Sequence, residues 1–372
     1  MKFGYSLPLF LVQGVFSEAT DSVALDETSM NTAVAGYRAC PPVPHGRGMS
    51  RAQLLSKVVA AAAAVFLPLA ATGVAEGEAP TPKVVVIGLD GLMYGKVEQV
   101  RAPNLLRLSG EGLLSRSSIA PHITISGPSW ATVLTGVWDR KHGITDNRFT
   151  ASPFARYPTV FTRLERARPA LKTQSIATWD QIATLTGSGD PRADVVVSTA
   201  PVPDDPDESR TDAATTDAVV AAIGRFAPDL LFTHLDQVDR AGHDAGGASR
   251  AYLDAVTRID ALVGRIVAAV DARAAAHPAE RWTVLVTADH GHLPRGGHGG
   301  QSPDETTNFV IARGPDFRPG ATSTRATLVD ITPTVLDLLD VAPGADLDGR
   351  SLRPEPGPAR TPLSEPLPAA IR

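Results

Sequence analysis

Trp282–His292 read "WTVLVTADHGH". No charge interrupts the apolar and β-branched run until Asp289, so both faces of the strand it predicts must be covered. "KVVVIGLD" (Lys83–Asp90) and "DLLFTHLD" (Asp229–Asp236) repeat the pattern, an apolar run that ends in an acid, and "NFVIARG" (Asn308–Gly314) predicts a fourth strand. Helical spacing fills the intervals at Ala102–Glu111, Pro128–Leu134, Thr211–Phe226, Arg250–His277 and Thr327–Leu339. Strands alternating with helices predict an α/β fold, a mostly parallel central sheet with helices on both faces. Gly187–Arg210, rich in Asp, Pro and Gly, reads as a long loop or part of a small cap insertion.

The chain has 372 residues, 43% hydrophobic and 20% charged, and a net charge of −5. That balance argues against a phosphate-backbone binder, and no nucleic-acid-binding module is evident. Residues 1–75 are expected to lie outside the fold. From Met49, Arg51 and Lys57 precede an apolar run, Val58–Ala71, and small residues near Ala75, the pattern of a secretory signal. The run is short for a bilayer and contains Pro68, so no stable membrane span is expected after cleavage. Lys2 and Phe3–Phe16 offer a rival signal, which leaves the second apolar run unexplained. Residues 76–352 then form the catalytic domain, 353–372 a Pro-rich disordered tail, and the product is secreted, in the extracellular space or at the cell envelope. The single cysteine, Cys40, lies in the leader, so any metal in the exported part must be held by His and carboxylates.

Such residues gather where α/β sheets bind ligands, at the carboxyl ends of the strands. Asp90 ends the first strand; "DQVDRAGHDAG" carries Asp239 and His243 four apart, on what reads as a surface loop. Asp289 and His290 follow a buried strand, and His298 sits in "RGGHGG". Three Asp and three His are enough for two Zn²⁺ ions, or similar divalent transition metals, and the mixed nitrogen and oxygen set argues against calcium. In "HITISGPSWATVLTG" (His122–Gly136), Ser126 opens a helix. A capping role is the bland alternative, but a metal and a helix dipole together would lower the hydroxyl pKa and make Ser126 a nucleophile. Gly127 would let a substrate approach, and Ser129 could donate to a phosphoryl oxygen.

Taken in order, "VVVIGLDG", "SGPSWATVLTGVWDRKHGITDN", "DQVDRAGH", "TADHGH", "GGHGG" and "LVDITPTVLDLLDV…DLDGRSL" resemble the alkaline phosphatase superfamily, in its type I phosphodiesterase/nucleotide pyrophosphatase branch. The resemblance implies that Asp90, Ser126, Asp289 and His290 surround one zinc and that Asp239, His243 and His298 hold the other. It implies a Ser126 nucleophile, a phosphoseryl intermediate that water then hydrolyses, and a small phosphodiester or nucleotide substrate. Ser129 stands where many relatives carry an Asn that binds the phosphoryl group. His142 and Asn147 match a feature that supports the pocket, Asn147 being taken with Ser129 as substrate-binding, and Asp330 matches a structural signature. A phosphomonoesterase, with Arg148 or Arg295 meeting the extra charge, is the alternative. A sulfatase fits less well, because Trp130 replaces the expected Arg and His290 the expected Asn. A phosphonate hydrolase and a secreted binding protein with a degenerate site complete the alternatives. Trp179 reads as a buried structural side chain, with stacking on a base or sugar as the other reading.

Overall fold

A computed structural model describes residues 80–149 and 154–354. The leader with its signal-like run and Cys40, and the tail from residue 355, lie outside the described residues. Eight strands form one sheet in the order β4-β3-β5-β1-β6-β7-β2-β8. They are β1 Thr81–Leu89, β2 Leu113–Ser118, β3 Thr173–Ala177, β4 Val195–Ser198, β5 Leu230–Leu235, β6 Glu280–Thr287, β7 Thr307–Arg313 and β8 Ala321–Ser323. β1 lies between β5 and β6, parallel to both; β7 alone runs against its neighbours, β6 and β2.

The apolar runs behave as strands because both sides of the sheet are covered. In β1, Val85, Ile87 and Leu89 join one core, and Val84 and Val86 the other. The first core packs the helices Pro103–Gly110, Ser209–Arg225 and Arg250–Ala276; the second packs Ser126–Thr135, Val160–Ala167 and Ile331–Leu338. All four expected strands form. The expected Thr327–Leu339 helix is divided, with a 3₁₀ turn at Leu328–Asp330 ahead of Ile331–Leu338.

Three strands, β2, β3 and β8, carry no apolar run. In β3, "TQSIA", every residue is buried although only Ile176 and Ala177 are apolar. Thr173 finds partners, its hydroxyl donating to Glu165 Oε1 at 2.7 Å and accepting the Asp194 N–H, whereas the buried Ser175 hydroxyl has none. β4 lies inside Gly187–Arg210 and pairs with β3 as the edge of the main sheet, so that part of the segment is neither loop nor cap. A second revision concerns Asp239 and His243, which sit on a helix, Gln237–Ala245, rather than on a loop.

Candidate active site

The carboxyl ends of β1, β5 and β6 are adjacent, since the three strands are neighbours and parallel. Asp90 follows β1 directly, Asp289 and His290 follow β6 by one residue, and the Gln237–Ala245 helix begins just after β5. Asp239 and His243, one helical turn apart, therefore face the same place. The Ser126–Thr135 helix brings Ser126 in from the first residue of its opening turn.

Two groups result. In the first, Ser126 Oγ lies 3.2 Å from His290 Nε2 and 3.5 Å from Asp90 Oδ1, and His290 Nε2 lies 3.0 Å from Asp289 Oδ2. In the second, His243 Nε2 lies 3.2 Å from Asp239 Oδ2 and 2.9 Å from His298 Nε2, and His298 Nε2 lies 3.7 Å from Asp239 Oδ1. The His290 and His298 rings stack at 3.8 Å, which joins the groups.

Hydrogen bonds identify the bare ring nitrogens. His298 Nδ1 lies 2.7 Å from the Thr124 carbonyl, and His290 Nδ1 lies 3.2 Å from the Gly291 carbonyl. A carbonyl can only accept, so each Nδ1 carries the hydrogen and each neutral ring aims a lone pair from Nε2. Burial keeps both rings neutral, lowering His290 and taking His298 down to about 4. The His290 lone pair faces Asp289 Oδ2, a buried oxygen that has no hydrogen-bond partner. Lone pair against unpartnered carboxylate is a repulsive contact unless a cation lies between them.

The acids tell the same story. Burial first, then the Asp289 and Asp239 charges, raise Asp90; burial takes Asp289 up to about 6. For Asp239, burial also pushes upward, but hydrogen bonds from His243 and His292 outweigh it and hold the group well below the usual range. His243 is raised chiefly by its hydrogen bond to Asp239. Divalent cations fit both groups, and the ligands are the nitrogen and carboxylate set that transition metals favour.

Not every expected role is available. Ser129, expected to contact a phosphoryl oxygen, is 2% exposed and its hydroxyl donates to the Ile123 carbonyl at 3.0 Å. It fixes the turn ahead of Ser126 instead. A Cβ on Gly127 would lie 2.7 Å from the Asp146 carbonyl oxygen, so this glycine admits the chain's own Asp146–Asn147 segment rather than a substrate. Asn147 Oδ1 accepts the Gly127 N–H at 2.7 Å, which ties its exposed side chain beside Ser126. His142 is buried, lowered to about 4 by burial, and bridges Thr132 Oγ1 and the Ile144 N–H, bracing the same helix. Asp330 accepts the Thr327 and Arg350 N–H groups and is structural. Arg148 is held by Asp146 through two hydrogen bonds.

Four contributors were not foreseen. Trp130 and His234 both reach Asp90 Oδ2 at 2.8 Å, and His292 reaches Asp239 Oδ1 at 2.7 Å. Asp236 lies within ligand distance of Asp90 and His234. His234 and His292 stood inside the quoted motifs, and periodicity alone gives a buried histidine no special mark. Trp179 is half-buried, packs against the second core and also lines a cavity of about 330 Å³ with Thr178, Ser198, Glu208 and Asp236.

The family model described as type I phosphodiesterase / nucleotide pyrophosphatase matches residues 84–298, which contain every acid and histidine of the two groups. A 2,3-bisphosphoglycerate-independent phosphoglycerate mutase of Streptomyces coelicolor is 33% identical over 147 residues, 37% of this chain and 27% of the mutase. Ectonucleotide pyrophosphatase/phosphodiesterase family member 7 of Rattus norvegicus is 23% identical over 252 residues, 63% of this chain and 56% of that protein. The chain thus spans about a quarter and about half the length of these two curated relatives. Among solved structures, murine ectonucleotide pyrophosphatase / phosphodiesterase 5, an inactive variant in complex with AMP, superposes with a TM-score of 0.56 at 14% identity, covering 70% of this chain and 96% of that one. A putative sulfatase from Bacteroides thetaiotaomicron gives a TM-score of 0.58 at 17% identity, covering 74% of each chain. At those identities the likeness extends to the fold alone.

Proposed function

The chain belongs to the type I phosphodiesterase/nucleotide pyrophosphatase family, and from that premise we propose that it hydrolyses small phosphodiesters or nucleotides, with Ser126 as nucleophile and two zinc ions as cofactors. One observation carries the reading: Ser126 Oγ, at the start of a helix, faces the bare Nε2 of His290 and the carboxylate of Asp90. Asp90, Ser126, Asp289 and His290 would hold one ion, and Asp239, His243 and His298 the other. Bound there, the ions would supply Lewis acidity to the attacking and departing oxygens.

The remaining chemistry belongs to the chain. Ser126 Oγ bonds to phosphorus as the bond to the leaving alcohol or phosphate breaks, and water then cleaves the phosphoseryl ester, so that one water is added overall. The helix dipole favours the anionic phosphoryl group at its first turn. Asn147, its oxygen fixed on Gly127, presents its amide N–H₂ beside Ser126. The reading of the leader extends the proposal to a secreted enzyme with its catalytic domain at 76–352; among the described residues no helix is long and apolar enough to cross a membrane.

A phosphomonoester substrate is the second reading, favoured by the 33% identity to phosphoglycerate mutase. Initial rates with zinc on matched nitrophenyl phosphodiester, phosphomonoester and sulfate substrates separate the possibilities. A diester preference that disappears in Ser126→Ala, a fall of about 1,000-fold or more, supports the proposal. A monoester preference moves the function to a phosphatase, a sulfate preference to a sulfatase, and activity that survives in Ser126→Ala ends the nucleophile's role.

A further inference from the structure

Four histidines at this site are completely or nearly buried, and their hydrogen bonds divide them into two kinds. His290 and His298 give their Nδ1 hydrogens to carbonyls and point bare Nε2 atoms at the acids. His234 and His292 are the reverse. Both are 0% exposed, both place Nε2 against a carboxylate oxygen, and both leave Nδ1 buried without a hydrogen-bond partner. An ionised carboxylate only accepts, so in these two rings Nε2 carries the hydrogen and has no lone pair for a metal.

We propose that His234 and His292 are a matched pair of positioning residues, one for each metal site, which fix which carboxylate oxygen is left to the ion. His234, with the Trp130 N–H, occupies Asp90 Oδ2 and leaves Oδ1 towards Ser126. His292 occupies Asp239 Oδ1 and leaves Oδ2 towards His243. The His292 ring has no room to turn. A Cβ on Gly91 would lie 2.7 Å from His292 Nε2, and one on Gly242 would lie 2.5 Å from the same ring, so these glycines make the space that His292 fills. The His234 ring packs edge-on to Trp130 at 5.1 Å, and a Cβ on Gly88 would lie 2.5 Å from Trp130 Cη2. A carboxylate held by one oxygen keeps its other oxygen oriented before the ion arrives, so less order is lost on binding.

The inference rests on the two-metal reading above and is tested without substrate. Zinc affinity of the full chain would be measured by competition with a chelator, and cobalt would be bound separately for its absorption spectrum. His292→Met is expected to weaken one of the two ions about 10- to 100-fold and to leave the other within a few-fold; His234→Met should do the converse. Gln at either position returns an amide N–H near the former Nε2 and should restore most of the loss, which a packing defect would not allow. The spectrum at saturating cobalt should keep its bands in all four variants. Unchanged zinc affinity in the Met variants, equal weakening of both ions, or failure of Gln to rescue would overturn the pairing. A spectrum that loses intensity or shifts would make the histidine a ligand and equally overturn it. Wild-type chain that binds fewer than two ions would end the two-zinc reading instead.

Discussion

Asp289 shows how much one side chain's surroundings change its chemistry. Its carboxyl is wholly buried, holds the Gly91 N–H at 3.0 Å through one oxygen, and has no partner for the other. Burial takes it from the usual carboxylate value up to about 6. Its folded pKa is raised, so its favourable contribution is complete below about 3.8 and is lost as pH rises through 6. Metal-stripped Asp289→Asn is therefore expected to melt higher than the metal-stripped parent at pH 8, with the difference shrinking to nothing by pH 4. The same group predicts that metal affinity weakens as pH falls below about 6, where a proton begins to compete with the ion. Thermal melts across that range, with and without zinc, check both. His298, lowered to about 4, works in the opposite sense: its contribution is complete above 6.5 and is lost as pH falls towards 4. Asp289→Asn isolates the acid's part because His298 is common to both proteins.

Among the elements, the helix Pro103–Gly110 is held by a cap that comes from another helix. Asp260, 2% exposed on Arg250–Ala276, accepts the Leu105 N–H through Oδ1 at 2.8 Å and the Asn104 N–H through Oδ2 at 3.2 Å. A helix of eight residues with Ala102 at its N-cap and no side-chain cap bond of its own depends on such a partner. Asp260→Ala is expected to cost about 2 kcal/mol in urea unfolding, and to leave turnover unchanged because the contact lies away from the acids and histidines. The elements also show where periodicity stops being informative. β1, β5 and β6 were legible because a strand with two covered faces has to be apolar throughout. β2, "LLSRSS", and β3, "TQSIA", were not, because hydrogen bonds rather than apolar side chains make them acceptable inside the sheet. The Gln237–Ala245 helix was read as loop since its nine residues hold two Asp and a His, and its register is evident only once one face meets the ends of the strands.

For the molecule as a whole, three buried carboxylates, Asp90, Asp239 and Asp289, are divided between two adjoining groups that share His290. Each raises or is raised by another, a cost borne by the fold wherever cations do not offset it. Removing zinc with a chelator is therefore expected to lower the melting temperature on the order of 10 °C, and adding two equivalents back should restore it. Elemental analysis and a melting curve on the same sample check the count and the effect. The sheet order makes this crowding possible: β5, β1 and β6 are consecutive neighbours although they lie far apart in the chain.

From the sequence alone came the α/β class, the strands that end in acids, and the set of candidate residues Asp90, Ser126, Asp239, His243, Asp289, His290 and His298. These follow from local properties: burial on two faces, strand ends, and the residue types that can hold a transition metal. Tertiary structure alone decided which hydrogens the rings carry, that His234 and His292 hold Asp90 and Asp239, and that the Ser129 hydroxyl is occupied by Ile123. A hydrogen bond across 144 or 53 residues of chain has no signature in either segment, because it depends on which strands become neighbours and not on the pattern within any one of them.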